Sequence, residues 1–230
     1  MSVKATRTRL PGLPDVFIRD AKASDADAVL RLVAAANPDD PGAFEGARPG
    51  LENLSEGPLS RTASLVILAE DGTGTPLGAL MGGVPSWLLK HPGVSHPILF
   101  ECLIARIGII SAVAVRPDRR GGGVGSALVR HAVSRFTRAG YGLLTLNFTP
   151  SLEGYYQRLK FATMDNLIVH IGDGVMLGQR WDDTRVAAKT LDQRTELTAV
   201  QGLDSPLVSG ILPHTRVPKG TYFDGERLRR

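Results

Sequence analysis

The sequence predicts an α/β fold, in which strands and helices follow one another along most of the chain. Three observations predict this class. The β-branched run Ile107–Val115 passes through a glycine-rich turn into an amphipathic helical pattern. Two short apolar runs flank the turn residues 70–75, a pattern typical of a β-hairpin. A further strand, helix and strand are indicated between residues 143 and 171.

The composition indicates a globular chain without membrane-spanning or secretory segments. Of its 230 residues, 43% are hydrophobic and 22% charged, which excludes a disordered or fibrous protein and allows one large domain with appendages. No apolar run approaches the roughly 20 residues that a membrane helix requires, so we expect no membrane partner. The basic N-terminus lacks the apolar core of a signal peptide.

Cysteine content and net charge indicate the cellular compartment and the kind of ligand. Cys102, the only cysteine, can form neither an internal disulfide nor a cysteine metal site, so we expect a cytoplasmic protein without a metal. Its apolar neighbours predict a buried side chain rather than a catalytic thiol. The net charge of +4 suits an anionic small molecule. Aromatic residues are few and are not interleaved with basic ones, which argues against nucleic-acid binding.

The N-terminal part is expected to form a short strand, a helix and a long loop. Val16–Arg19 predicts the strand. Ser24 or Asp25 is expected to cap a helix that continues to about Ala36, because acidic residues occupy its first turn. Residues 37–58 are rich in proline, glycine and acids, so we expect a loop there, either functional or simply a solvated connection.

A hairpin and a long strand are expected next. Ser64–Ala69 and Pro76–Gly83 predict two strands joined by the turn 70–75. Residues 84–100 predict either an irregular insertion or a short helix. Ile107–Val115 predicts the long strand that enters the glycine-rich turn.

The helix after this turn has a clear apolar face, formed by Val124, Leu128, Ala132 and Phe136, and Gly140 is a suitable stop.

The remaining elements become less distinct towards the C-terminus. Leu143–Phe148 predicts a strand, Thr149 is expected to cap a helix that ends near Leu159, and Leu167–Ile171 predicts another strand. Beyond residue 171 the periodicity is weak, with one expected helix at Thr184–Leu191.

The glycine-rich turn is the main functional signal. A strand, a turn and a helix N-terminus in this order present backbone N–H groups and the positive end of a helix dipole, which suits phosphates. A Walker A loop is excluded because Gly125 is followed by Ser126 without a lysine. A dinucleotide-binding fingerprint fits poorly, because its third glycine would fall on Ser126.

A third pattern fits better. Arg120-x-x-Gly123-x-Gly125, directly after a β-branched strand and before an amphipathic helix, resembles motif A of the GCN5-related N-acetyltransferase (GNAT) superfamily. The order of elements from about Val16 to Ile171 also resembles that fold.

The resemblance implies an architecture and a division of the chain. It implies a central mixed, mostly antiparallel sheet, splayed between the fourth and fifth strands, with helices on both faces and a C-terminal extension. Residues 1–14 would be a loose arm, residues 15–171 the acyltransferase domain, and residues 172–230 an extension of unknown role.

It also implies acetyl-CoA as the acyl donor, with the pyrophosphate at the turn and the pantetheine arm along the preceding strand. The residues implied to bind this donor are Val113, Ala114, Val115, Arg120, Gly121, Gly122, Gly123, Val124, Gly125, Ser126 and Asn147.

A second segment, Tyr155–Phe161, resembles the family's F-Y-x-K-x-G-F sequence. The resemblance implies that Tyr156 donates a proton to the departing CoA thiolate, as a tyrosine that is protonated at neutral pH can do. Packing on the inner face of the helix is the alternative role and fits Tyr155 better than Tyr156. Lys160 stands where the family usually has a glycine, so the sequence does not predict the conformation of the turn after the helix.

The general base stays unassigned. Many family members carry a carboxylate on the strand before the turn, at the position of Ser111. Glu101, His91 and His96 lie upstream and are the available alternatives.

We therefore expect an acetyl-CoA-dependent N-acetyltransferase that acts by direct attack in a ternary complex. The alternatives are a non-catalytic CoA-binding regulatory module and a transferase for a longer acyl group. The acceptor, an amine of a small molecule or protein, is not identified, although acids in the loop 37–58 suit a cationic one. For residues 172–230 three alternatives stay open: they close the acceptor site, they mediate a homodimer, or they do neither.

Overall fold

The structure is a computed structural model that describes residues 7–10, 12–37, 39, 40, 42–55, 57 and 59–230. Residues 1–6 and Pro11 of the expected arm 1–14, and Pro38, Pro41, Glu56 and Pro58 of the expected loop, lie outside the described residues. The chain forms two compact units, Met1–Gly83 with Ile110–Arg135 and Val84–Ile109 with Phe136–Arg230.

The described residues contain short helices and one long one. The helices are α1 (Ala26–Ala36), α2 (Arg48–Glu52), α3 (Leu59–Thr62), α4 (Ser86–Lys90), α5 (Pro97–Ile104), α6 (Val124–Arg138) and α7 (Glu153–Arg158).

The strands between residues 64 and 148 follow the expected positions closely. They are β1 (Thr8–Leu10), β2 (Leu13–Asp20), β3 (Ser64–Glu70), β4 (Pro76–Gly83), β5 (Ile107–Val115), β6 (Leu143–Phe148), β7 (Ala162–Met164), β8 (Asn166–Gly172), β9 (Val175–Arg180), β10 (Arg185–Thr190), β11 (Glu196–Thr198), β12 (Leu207–Ser209), β13 (Tyr222–Phe223) and β14 (Leu228–Arg229).

The first unit is a sheet with the strand order β1-β2-β3-β4-β5, to which β5 contributes its residues 110–115. The pairs β1–β2, β2–β3 and β3–β4 are antiparallel, which confirms the expected hairpin. Helix α1 packs its apolar face on this sheet, as its i, i+3, i+4 spacing predicts. The core that results contains Val29, Leu30 and Val33 from the helix and Val66, Leu68 and Ala79 from the strands.

Part of the expected loose arm is a strand instead. Thr8 pairs with Ile18 and Arg9 with Phe17, so β1 extends the sheet by one edge strand. The Arg7 guanidinium lies 4.5 Å from the centre of the Phe17 ring, which holds the start of this strand against β2.

The second unit has two sheets. The first has the order β5-β6-β10-β7, with β5 contributing residues 107–109, and β10 is antiparallel to both β6 and β7. The second has the order β11-β12-β8-β9, in which β12 and β8 are parallel. Parallel and antiparallel pairs therefore coexist, and the expected mixed α/β class is confirmed.

The expected helix at Thr184–Leu191 is wrong, because these residues form β10. Val186, Ala187 and Ala188 are all buried, so the strand lacks the alternation that normally distinguishes a strand from a helix. The segment expected to be an extension thus supplies a strand that lies between β6 and β7.

The region between β4 and β5 contains α4 and α5, so the short-helix alternative was right.

Cys102 was expected to be buried but is exposed. Helix α5 buries mainly Leu103, and an almost uniformly apolar run does not indicate which face of a short helix meets the core. In the described residues, no helix combines the length and apolar character needed to cross a membrane.

Candidate functional site

The turn between β5 and α6 adopts the backbone that its glycines permit. Gly121 has a φ of +78° and Gly123 a φ of +86°, a region that side-chain-bearing residues rarely occupy. A single 3-10 turn, Pro117–Arg119, separates this segment from β5. The two positive φ angles lie in the four residues 120–123 that join this 3-10 turn to the helix.

The N-terminus of α6 provides backbone donors. The Ala127 N–H bonds to the Gly123 carbonyl at 3.0 Å, so the helix begins with that bond. The N–H groups of Val124, Gly125 and Ser126 precede it and have no acceptor within an α-helix. Together with the helix dipole they form a place where an anion is stabilised.

Packing within the first unit holds α6 close to the sheet. Val124 and Leu128 are buried, as the predicted apolar face requires. Gly78 of β4 permits this approach, because a Cβ at that position would lie 2.8 Å from the Ala114 carbonyl oxygen and 3.2 Å from Leu128 Cδ1. Gly78 was not among the predicted site residues, although a glycine inside a strand is a signal of close approach.

The Arg120 side chain bonds to protein carbonyls. Its Nε donates to the Val115 oxygen at 3.2 Å and its Nη2 to the Ala35 oxygen at 3.1 Å. Ala35 lies in the last turn of α1, where a cation is favoured by the helix dipole. Arg120 therefore ties the end of β5 to the end of α1.

The strand that leads into the turn is partly accessible. Ala114 is buried, whereas Val113 and Val115 are half-buried. Ser111 is exposed, and its hydroxyl lies 3.5 Å from the Met81 carbonyl oxygen, which is a long hydrogen bond.

Tyr156 lies on α7, in the second unit, within a group of aromatic rings. Its ring centre is 4.9 Å from that of Tyr155, 5.4 Å from that of Phe148 and 6.1 Å from that of Phe161. Only 6% of Tyr156 is exposed, and it is more buried than Tyr155, contrary to our expectation that Tyr155 would be the inner residue. Burial, with a smaller contribution from Tyr155, raises the pKa of Tyr156 above its ordinary value of 10, so the phenol stays protonated at neutral pH.

The turn after α7 is retained although lysine stands at the usual glycine position. Lys160 has a φ of +65°. Its N–H bonds to the Gln157 oxygen at 2.9 Å, and the Phe161 N–H bonds to the Tyr156 oxygen at 3.1 Å. This pair of bonds defines a Schellman motif, in which a non-glycine residue costs about 1–2 kcal/mol.

Asn147 lies on β6 and pairs with Val186 of β10. Its side chain is half-buried and donates to the Thr184 hydroxyl at 3.3 Å. Its environment is thus set by the segment that the sequence left unassigned.

The upstream residues considered for the general base have other surroundings. Nδ1 of His91 accepts the Gly93 N–H at 3.0 Å, so Nε2 carries the proton and donates to the Gly178 oxygen at 3.1 Å. Both nitrogens are therefore engaged. Glu101 is exposed on α5, and His96 is exposed directly before it. In the described part of the chain, no three His, Cys, Asp or Glu side chains are grouped as a metal would require.

Comparison with known proteins supports the resemblance in motif and fold. Residues 63–163 match the family model of the acetyltransferase (GNAT) domain. This segment includes β3 to β6, the glycine-rich turn and α7. No curated protein sequence matches the chain.

Solved structures extend the likeness beyond that segment. An N-acetyltransferase from Staphylococcus aureus Mu50 is 18% identical, with a TM-score of 0.52, over 77% of this chain and 99% of its own. A GCN5-related N-acetyltransferase from Kribbella flavida is 20% identical, with a TM-score of 0.52, over 77% and 98%. A ribosomal-protein-S5-alanine acetyltransferase from Vibrio fischeri is 13% identical, with a TM-score of 0.53, over 82% and 98%. At these identities the likeness shows a shared fold.

Proposed function

We propose that this chain, whose residues 63–163 match the acetyltransferase (GNAT) domain, is a GCN5-related N-acetyltransferase that transfers an acetyl group from acetyl-CoA to an amine in a ternary complex. The observation that carries the proposal is the turn itself. Gly121 and Gly123 adopt left-handed backbone angles immediately before a 15-residue helix, whose first N–H groups have no acceptor within the helix and suit an anion.

The pyrophosphate of the donor would bind these N–H groups of the turn and of the first turn of α6. The backbone of Val113 and Val115 would pair with the pantetheine arm, since both residues are accessible at the end of β5. Arg120 would act mainly by holding the strand end to α1, because two of its nitrogens already donate to carbonyl oxygens.

Tyr156 would act as the general acid. The neutral amine nitrogen of the acceptor attacks the thioester carbonyl carbon, so an N–C bond forms while the C–S bond breaks. The Tyr156 hydroxyl gives its proton to the departing thiolate, the new amide nitrogen loses a proton to water, and the phenolate regains one from water. The phenol is protonated at neutral pH, as a proton donor must be, and the resemblance of Tyr155–Phe161 to the family's segment is what supports this role.

The acceptor would be a primary amine of a small molecule or a protein. The acidic loop supports a cationic acceptor only weakly, because Arg48 forms ion pairs with Asp27, Glu45 and Glu52 at 2.6, 3.1 and 3.7 Å. The single positive charge of Arg48 offsets one of these three negative charges, and all three carboxylates are engaged in ion pairs within the protein.

A non-catalytic CoA-binding module is the second candidate, favoured by one observation. Ser111, at the position where many family members have a carboxylate, is exposed and cannot accept a proton at neutral pH. An enzyme of this type would depend on an acceptor that arrives largely neutral, whereas a CoA-binding module would need no base.

The test separates binding from turnover. CoA binding is measured by calorimetry, and CoA release from acetyl-CoA is measured with spermidine, an aminoglycoside and a lysine-containing peptide. We expect turnover with at least one amine and a loss of about 10²-fold in kcat for Tyr156→Phe, with CoA binding unchanged. Binding of CoA without turnover of any amine would reject the acetyltransferase and favour the non-catalytic CoA-binding module. Faster turnover with octanoyl-CoA than with acetyl-CoA would assign a longer acyl donor.

A further inference from the structure

Helix α7, which carries Tyr156, is too short to hold its own position. It has six residues, fewer than the 12–15 or so that an isolated helix needs in water. Its place is therefore determined by contacts with its surroundings, and β10 makes such contacts at both of its ends.

At the beginning of α7, β10 contributes an ion pair. Nη1 of Arg185 lies 2.6 Å from Glu153 Oε1, and the same carboxylate oxygen accepts the Thr163 hydroxyl at 2.8 Å. Glu153 is the first residue of the helix, so this contact fixes where the helix starts.

At the end of α7, β10 contributes a lysine. Nζ of Lys189 donates to the Leu159 carbonyl at 3.2 Å and to the Lys160 carbonyl at 2.9 Å. The ammonium also lies 5.4 Å from the centre of the Phe161 ring. Lys189 is half-buried and pairs with Leu144 of β6, so its backbone is held by the sheet.

The two hydrogen bonds from Lys189 are made to the turn that directly follows Tyr156 in space and in sequence. In the Schellman motif the Tyr156 carbonyl accepts the Phe161 N–H, and the two rings are in contact. Lys160 occupies the left-handed position of this motif without being a glycine. The turn is therefore strained at Lys160, and Lys189 bonds to the carbonyl of that very residue.

We propose that Lys189 is a positioning residue for Tyr156, which it orients by holding the left-handed turn at Lys160 from β10. The proposal rests on the proposed role of Tyr156 as the general acid. A glycine at position 160 would adopt the left-handed conformation without strain. Lysine does not, and the two hydrogen bonds from Lys189 are proposed to offset this cost.

The turn is tested without any substrate. Native-state amide hydrogen exchange of Lys160 and Phe161 is compared in wild type, Lys189→Met and Lys189→Met/Lys160→Gly. We expect exchange of these two amides to be about tenfold faster in Lys189→Met and to return towards the wild-type rate in the double variant. Lys189→Arg, which keeps a cationic donor, and Lys219→Met, which removes an exposed charge of the same unit, serve as controls with near wild-type exchange. Wild-type exchange in Lys189→Met would overturn the proposal.

The catalytic consequence is tested by kinetics with acetyl-CoA and the amine that gives the fastest CoA release in the panel above. We expect Lys189→Met to lower kcat about tenfold with the KM for acetyl-CoA nearly unchanged, and Lys160→Gly to restore it. In a Tyr156→Phe background the same substitution should have no further effect on kcat. A full additional loss in that background would show that Lys189 acts otherwise than through Tyr156.

The two proposals fail in distinguishable ways. Wild-type turnover in Tyr156→Phe alone would reject the general-acid role, whereas the exchange rates would still decide whether Lys189 holds the turn. If Tyr156→Phe lowers kcat but Lys189→Met leaves amide exchange unchanged, Tyr156 is still supported as the general acid. The proposed role of Lys189 in positioning it is then rejected.

Discussion

Arg106, which directly precedes β5, forms an ion pair with Asp192, which follows β10. The guanidinium also donates to the carbonyls of Gly140 and Ile211, and Asp192 accepts the Thr195 N–H at 2.8 Å. Burial tends to raise the pKa of Asp192, but the hydrogen bonds from Arg106 and Thr195 outweigh it and hold the pKa well below its ordinary value. This cluster joins the start of β5 to the C-terminal segment within the second unit.

The first prediction concerns acid stability. Because the pKa of Asp192 is lower in the folded state, its contribution is present above about pH 4 and is lost as the pH falls further. Asp192→Asn should lower the free energy of unfolding at pH 7 by about 1 kcal/mol, since the pair is partly screened by solvent, and should flatten its decline below pH 4. Urea unfolding at pH 7 and pH 3 measures both. Asp27→Asn, at an exposed ion pair, should change little, and an equal effect of the two substitutions would contradict the prediction.

The second prediction concerns the close approach at Gly78. Gly78→Ala places a Cβ 2.8 Å from the Ala114 oxygen, so β5 or α6 must shift. We expect a loss of about 1–3 kcal/mol in unfolding free energy and weaker CoA binding. Gly72→Ala is the matched control, because a Cβ there meets nothing within 4 Å and its φ is not left-handed. Urea unfolding and calorimetry with CoA measure the two effects, and unchanged stability in Gly78→Ala would mean that the strand pair adapts freely.

The third prediction separates two neighbouring glycines. Gly121→Ala has ample space but a left-handed φ of +78°, so the expected loss of about 1 kcal/mol in unfolding free energy is due to backbone strain alone. Gly122→Ala has no positive φ, and its Cβ would be 3.4 Å from the Arg119 oxygen, so its stability should change less. Equal losses in thermal unfolding would rule out the proposed backbone origin.

The fourth prediction concerns alkaline pH. The pKa of Tyr156 is raised in the folded state, so its contribution to stability is complete below about pH 10 and is lost as the pH rises further. Unfolding of the wild type should therefore become easier above pH 10, and Tyr156→Phe should show a shallower decline. Burial also raises the pKa of Tyr141, so Tyr141→Phe provides the comparison. If Tyr156→Phe has the wild-type slope between pH 9 and 11, Tyr156 is not shielded as described.

The fifth prediction concerns Cys102. Its exposed thiol should react with Ellman's reagent in the native protein, with a stoichiometry of one and no change in far-UV circular dichroism. Cys102→Ser should abolish the reaction and leave stability almost unchanged, because the side chain packs against little. A thiol that reacts only after addition of urea would contradict the exposure. The same variant removes the background thiol from assays of CoA release.

Much of the fold around the turn could be predicted from the chain alone. The bounds of β4, β5 and β6 agree with the expected runs, and the helix after the turn buries Val124 and Leu128 as its spacing indicated. These features depend on local signals: β-branched runs, turn residues and helical periodicity. The splay between the fourth and fifth strands and the roles of the site residues stay predictions.

Other features could not be predicted because they depend on what packs against each segment. Apart from Glu101 the run around Cys102 is apolar, so the packing of α5 against its neighbours determines that this thiol faces outwards. Similarly, Tyr155 and Tyr156 are adjacent and chemically equal, and contact with Phe148 and Phe161 determines that Tyr156 is the inner ring.

The sequence by itself determined the strand–turn–helix unit, because glycines at 121 and 123 and the apolar stripe of α6 act over a few residues. It thereby indicated the class of donor. Only the tertiary structure decided that residues 185–190 form β10 and that Lys189 reaches the turn after Tyr156. A strand buried on both faces has no periodic signature, and a lysine that caps a helix 30 residues away in sequence leaves no local trace.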